Sequence, residues 1–109
     1  MRHRIAPEAL AVWLVLREIA KDPTDRDEAE PVGRHREYIN LNFKLCGLLG
    51  FWPYFNLPIE TDSATPPQFM TNNLDRAENW REAYRWRCLL MEAEGDYERS
   101  DRANGPLSL

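Results

Sequence analysis

Histidine, cysteine and glycine are scarce in this chain, at two, two and five residues, and each shortage removes a class of chemistry. A nucleophile and its base need Ser or Cys beside His, but His3 lies in the terminal arm and His35 in a basic turn, with no nucleophile placed against either by spacing. No His-x-x-x-His, Cys-x-x-Cys or repeated-acid calcium loop occurs, so no metal site is expected. The glycines are spread as helix stops and turns, without the clustering that cradles a phosphate. Cys46 and Cys88 fall in separate helix-like stretches on apolar faces, which suits two buried, reduced thiols in a cytoplasmic protein better than a disulfide framework. The expectation is therefore a protein without cofactor, metal or enzymatic activity.

Long hydrophobic runs are also missing. The longest, residues 9–16, is far shorter than the roughly 20 residues that span a bilayer. The basic start Met1-Arg2-His3-Arg4 ahead of it superficially suggests a signal peptide. Glu8 interrupts that pattern, Arg17 and Glu18 close it and no small-residue cleavage site follows, so it reads as a mature N-terminus. A basic excess is absent too: the net charge is −4, which gives no global field for steering onto nucleic acid or anionic lipid. Lysine contributes only Lys21 and Lys44 to the 14 basic residues, and the arginine preference reads as coding composition rather than as phosphate clamps. With 109 residues, 43% hydrophobic and 29% charged, the chain suits one globular domain, too small for an elaborate enzyme cleft.

What is abundant is helical periodicity. Pro7 and Glu8 suit a first turn, and the pattern runs to Asp22-Pro23, predicting a helix near 7–21. Val12, Trp13, Leu16, Ile19 and Ala20 share one face, while Leu10 and Leu14 fall on the other beside Arg17 and Lys21. The first two turns are thus apolar all round, as in a helix covered from more than one side. Residues 22–31 hold five acids against one arginine between two prolines and read as a solvated loop. A second helix near 33–49 carries a stripe of Tyr38, Leu41, Leu45, Leu48 and Leu49, widened by Ile39, Phe43 and Cys46. Asn42 points into that apolar sector, where it needs a partner unless it reaches water at the edge.

Gly50 then precedes Phe51, Trp52, Pro53, Tyr54 and Phe55, so four of the twelve aromatic residues fall within five positions. With Gly50 able to adopt a left-handed helix stop and Pro53 lacking a donor, this is a non-helical knuckle that either plugs the core or presents a docking surface. Residues 56–67 carry three prolines and predict an ordered loop crossing the surface. Thr65-Pro66-Pro67-Gln68 fits a capping box for a short turn through Met70. A third main helix starts at Asn72 or Asn73 and runs near 72–94, with Gly95 as its stop. Leu74, Ala77, Trp80, Tyr84, Cys88 and Met91 form one stripe; Trp86, Leu90 and Ala93, joined by Ala83 and Tyr97, form a second. One stripe should serve the core and leave the other for a partner, the alternative being a single wide core face with snorkelling arginines. Residues 96–109 form a polar tail outside the 1–95 domain and predict disorder.

Charged constellations are weak. Glu78 and Glu82 share a face, as do Glu92 and Asp96, but Glu78 is three residues from Arg81 and Glu82 three from Arg85, which predicts a salt-bridged, solvated face. Arg81, Arg85 and Arg87 near Trp80 and Trp86 would give a weak nucleic-acid binder, a reading the interleaved acids disfavour. Residues 22–30 and 92–101 each hold five acids and one arginine, a net −4, and could mimic nucleic acid in the manner of small phage-encoded inhibitors. The stretch from Arg36 to Pro53, a leucine-rich helix ending Leu49-Gly50-Phe51-Trp52-Pro53, resembles a segment near the C-terminus of some phage terminase small subunits. The resemblance covers under a fifth of the chain and implies a phage-type accessory subunit.

These features define an all-α, compact three-helix domain without a membrane segment. Its expected function is that of a protein-protein interaction module, working as an assembly or adaptor subunit, in a homo-oligomer or on another protein, or as an inhibitor occupying a partner surface. The candidate partner-binding residues are Trp86, Leu90, Ala93 and Tyr97 on the last helix, Leu10 and Leu14 on the first, and Trp52 and Tyr54 on the knuckle.

Overall fold

The computed structural model describes residues 5–21, 31–58 and 60–104. The fold is all-α: α1 (Pro7–Lys21), α2 (Pro31–Leu49), a single turn α3 (Gln68–Thr71) and a long α4 (Leu74–Asn104). Among the described residues there is no strand, and no helix is long and apolar enough to cross a membrane.

Proline opens α1, where its missing N–H costs nothing, and the Ala6 carbonyl accepts from the Leu10 N–H at 3.0 Å. Glu8 in the first turn and Lys21 in the last complement the helix dipole. Ala9, Val12, Trp13, Leu16 and Ile19 are buried, the face that the 3.6-residue period predicts. Leu10 and Leu14 also pack on this core, although only in part.

α2 ends as its glycine predicts. Gly50 has φ +70°, its N–H reaches the Gly47 carbonyl at 3.2 Å, and the Phe51 N–H reaches the Cys46 carbonyl at 3.1 Å. This paired bonding is a Schellman stop, and it turns Phe51 back into the core while the helix finishes.

α4 departs from expectation at its far end. Asn73 caps its start, with Oδ1 accepting from the Arg76 N–H at 3.2 Å. Gly95, however, is helical and stops nothing: the helix continues through most of the expected polar tail, and only 105–109 lie outside the described residues. Glu94 is tied to α1 and Asp96 pairs with Arg99 one turn on, so the backbone is held on both sides of the glycine. The capping box at residues 65–68 does not form either. Pro67 stands at the N-cap of α3, with no side-chain cap.

α1 packs against α2 and, over a smaller contact, against α4, while α3 packs on α4. Trp13, Leu16, Leu45 and Leu90 meet in the main core, all with 0% exposure. Its edge is closed by a polar lock: Glu94 Oε1 accepts from Trp13 Nε1 at 2.8 Å and from Arg17 Nε at 3.2 Å.

Between α2 and α4 lies the connecting segment, which is exposed at Glu60 and 62–65, as its prolines suggest, but also runs inside. Leu57, Pro58 and Thr61 are fully buried, and Leu57 builds a second cluster with Phe51 and Ala83, flanked by Phe55 and Trp86. Around the cis Leu57-Pro58 bond the backbone is tied to both helices. The Leu57 carbonyl accepts from Tyr38 Oη at 2.8 Å and from Asn42 Nδ2, and the Pro58 carbonyl accepts from Arg87. Asn42 thus finds its partner in the loop, and its Oδ1 accepts from the Cys46 thiol at 3.6 Å. Farther along, Trp80 Nε1 donates to the Ser63 carbonyl at 2.6 Å. A proline-rich stretch with few donors of its own is held by side chains from α2 and α4, because buried carbonyls need partners that the loop cannot supply.

Candidate functional site

Of the four knuckle aromatics, the structure divides inner from outer. Phe51 is buried and Phe55 half-buried, its ring 4.5 Å from that of Trp80. Trp52 and Tyr54 point outward, at 58% and 63% exposure. They are held there by Asn79 of α4, whose Oδ1 accepts from the Tyr54 N–H at 3.0 Å and whose Nδ2 donates to the Trp52 carbonyl at 3.1 Å. One amide grips the backbone on both sides of Pro53, so the loop that presents the two rings is fixed although the rings are not buried.

Phe43 of α2 extends the same surface. It is 57% exposed, and its ring lies 5.6 Å from that of Trp52, tilted by 52°. Beside these rings opens a cleft of about 330 Å³, with Asn42 and Cys46 at its α2 wall, Trp52, Tyr54 and Phe55 from the knuckle, and Glu60 across it. Burial pushes the Cys46 thiol from 9.0 up to about 11, so it stays protonated and inert at neutral pH. On the far side of the Phe55 and Trp80 rings lies a second cleft of about 500 Å³, lined by Trp80, Phe69, Asp62 and again Glu60, with Phe69 69% exposed. The two clefts have Glu60 in common as a lining residue, and Asp62 adds a second carboxylate to the larger one.

The other sites expected from sequence fare differently. Leu90 and Ala93 are buried beneath α1 and Trp86 is half-buried against Phe51, Leu57 and Ala83, so the second stripe of α4 is intramolecular core. The assignment of the stripes is corrected: the second serves the core, with Arg87 reaching from α4 to the Pro58 carbonyl, while of the first Ala77 and Trp80 are buried and Leu74, Cys88 and Met91 are exposed. Leu10, Leu14 and Tyr97 are half-buried. Cys88, expected in the core, is exposed; its hydrogen bond with Tyr84 raises the tyrosine pKa.

The arginine trio is split as well. Arg81 and Arg85 line a shallow hollow of about 400 Å³ with Tyr84 and Thr65, while Arg87 turns to the opposite side beside Arg17 and Asp62. The predicted pairs of Arg81 and Arg85 with Glu78 and Glu82 do not close, and neither arginine is in an ion pair among the described residues. Residues 22–30 lie outside the described residues, and in the other acidic segment Glu94 is buried and Asp96 paired, which breaks the continuous anionic face that mimicry of nucleic acid requires. Among the described residues no group of three or more His, Cys, Asp or Glu side chains converges as metal ligands would.

Sequence reasoning singled out Trp52 and Tyr54 but missed Phe43, Asn79, Glu60 and Phe69. Phe43 stood in an apolar stripe like any core residue, and Asn79 was an unremarked polar residue of a helix; only the third dimension joins them to the knuckle. No protein-family profile, curated protein or solved structure matches this chain.

Proposed function

We propose that this is a non-catalytic helical interaction module whose docking surface is the knuckle of Trp52 and Tyr54 with Phe43 of α2. The observation that carries this reading is the Asn79 clamp: a loop bearing two outward aromatic rings is fixed by the same side chain at both of its backbone groups. Large rings supply most of an interface's energy at low entropic cost, and a fixed backbone lowers the ordering cost further. The reading fits an assembly or adaptor subunit, or an inhibitor that occupies a partner surface. A phage-type accessory role rests on the short terminase-like segment alone. The exposed, free Cys88 suits a reducing compartment such as the cytoplasm.

Affinity capture from the native host with the wild type and with the Trp52→Ala/Tyr54→Ala double variant tests this, provided both give the same helical circular-dichroism signal. The expected outcome is a defined partner, or a second copy of the chain, held by the wild type and lost by the variant. Equal recovery on both contradicts the reading.

A further inference from the structure

The two clefts are lined by aromatic rings and have the Glu60 carboxylate in common, and that combination selects a partner chemistry. Glu60 is exposed and lines both clefts, and Asp62 lines the second. Among the described residues Glu60 is in no ion pair or side-chain hydrogen bond, whereas Glu8, Glu18, Glu94 and Asp96 all have cationic partners and Asp62 also borders the hollow lined by Arg17, Lys21 and Arg87. Lys44 is engaged by Glu8 at 3.7 Å, Arg76 sits over the Tyr54 ring at 5.6 Å, and neither lines either cleft. Glu60 therefore brings a carboxylate with no cationic partner among the described residues to the cleft that Trp52 and Tyr54 line.

The protein itself shows what such a pairing holds. At the α1–α4 junction a guanidinium, that of Arg17, lies over the Trp13 ring at 5.8 Å while its Nε donates to the Glu94 carboxylate at 3.2 Å. Ring face and carboxylate act together, the quadrupole attracting the flat cation and the oxygens accepting its N–H groups. Trp52, Tyr54 and Glu60 bring the same two kinds of group to the first cleft, and no cation among the described residues lines it.

On the reading that this surface docks a partner protein, we infer that the occupant is an extended peptide segment that inserts an arginine side chain into the cleft lined by Trp52, Tyr54 and Glu60. An apolar side chain next to that arginine would meet Phe69 and Trp80 in the second cleft. The net charge of −4 favours approach of such a basic segment.

The test is selection of a random displayed-peptide library on the immobilised full chain, followed by titration of the selected peptides against wild type, Trp52→Ala and Glu60→Gln. Each peptide is also made with citrulline in place of arginine, which keeps the shape and removes the charge. The inference expects arginine-bearing peptides that weaken about tenfold with citrulline and with Glu60→Gln, the loss appropriate to one charge-assisted contact, and that weaken at higher salt. Peptides that depend on Trp52 but carry no basic residue, or that ignore Glu60→Gln, overturn the arginine assignment and leave the docking surface standing. If no selected peptide depends on Trp52, the docking surface itself falls, and this inference with it. Self-association abolished by Trp52→Ala, or oligonucleotide binding at the clefts, would replace the peptide with another occupant. Glu60 is exposed and its side chain makes no hydrogen bond or ion pair among the described residues, and an unchanged circular-dichroism melt of Glu60→Gln checks that the variant folds.

Discussion

Single side chains do unlike work in this small fold, and the two cysteines show it. Cys46 is buried on the inner face of α2, donating to Asn42, while Cys88 stands on the open face of α4. Burial raises the Cys46 pKa from 9.0 to about 11. A pKa raised on folding means that the native state holds the proton more tightly, so the contribution is present below pH 9.0 and is lost as pH climbs towards 11. Denaturant unfolding should therefore show stability falling over that window by on the order of 2 kcal/mol from this group. In Cys46→Ala that part of the decline should be absent, whatever the variant's stability at neutral pH. An identical slope in wild type and variant would show that the thiol does not ionise against the fold.

At the scale of elements, α1 and the end of α2 were legible because their signals are local. Proline and acid at the start, period 3.6 through the middle and glycine at the stop each act within a turn of where they stand. Gly50 is the sharpest case: its φ of +70° strains any side chain although space is open around it, so Gly50→Ala should cost about 1–2 kcal/mol in urea unfolding with no change of fold. A cost near zero would mean that the stop can be made another way. What was not legible depends on partners distant in sequence. Gly95 carries the same local signal as Gly50, but the Glu94 contacts to Trp13 and Arg17 hold the helix on course. The prolines of 56–67 predict a surface loop, which holds at Glu60 and 62–65 but not at Leu57 and Pro58, where Tyr38, Asn42 and Arg87 supply the donors that let the backbone run inside. The second stripe of α4 is covered by α1 at Leu90 and by the loop at Ala83 and Trp86, while the first is covered only at Ala77 and Trp80 and leaves Leu74, Cys88 and Met91 exposed.

Taken as a whole, the molecule is three main helices with an irregular segment as the filling between two of them, and this arrangement decides which apolar surface is surplus. A wheel projection made the Trp86 stripe look spare and left the knuckle ambiguous. Packing reverses the emphasis: Trp86 belongs to the second core cluster, while Trp52, Tyr54 and Phe43 remain outside both. The central claim is that the knuckle's outer rings are not needed for folding and are held out for a partner. The most direct measurement is the unfolding free energy of Trp52→Ala set beside that of Trp86→Ala. The account predicts a loss under about 1 kcal/mol for Trp52→Ala and one of about 3 kcal/mol for Trp86→Ala. A loss of about 3 kcal/mol at Trp52, with Trp86 nearly neutral, would contradict it and return the docking surface to α4.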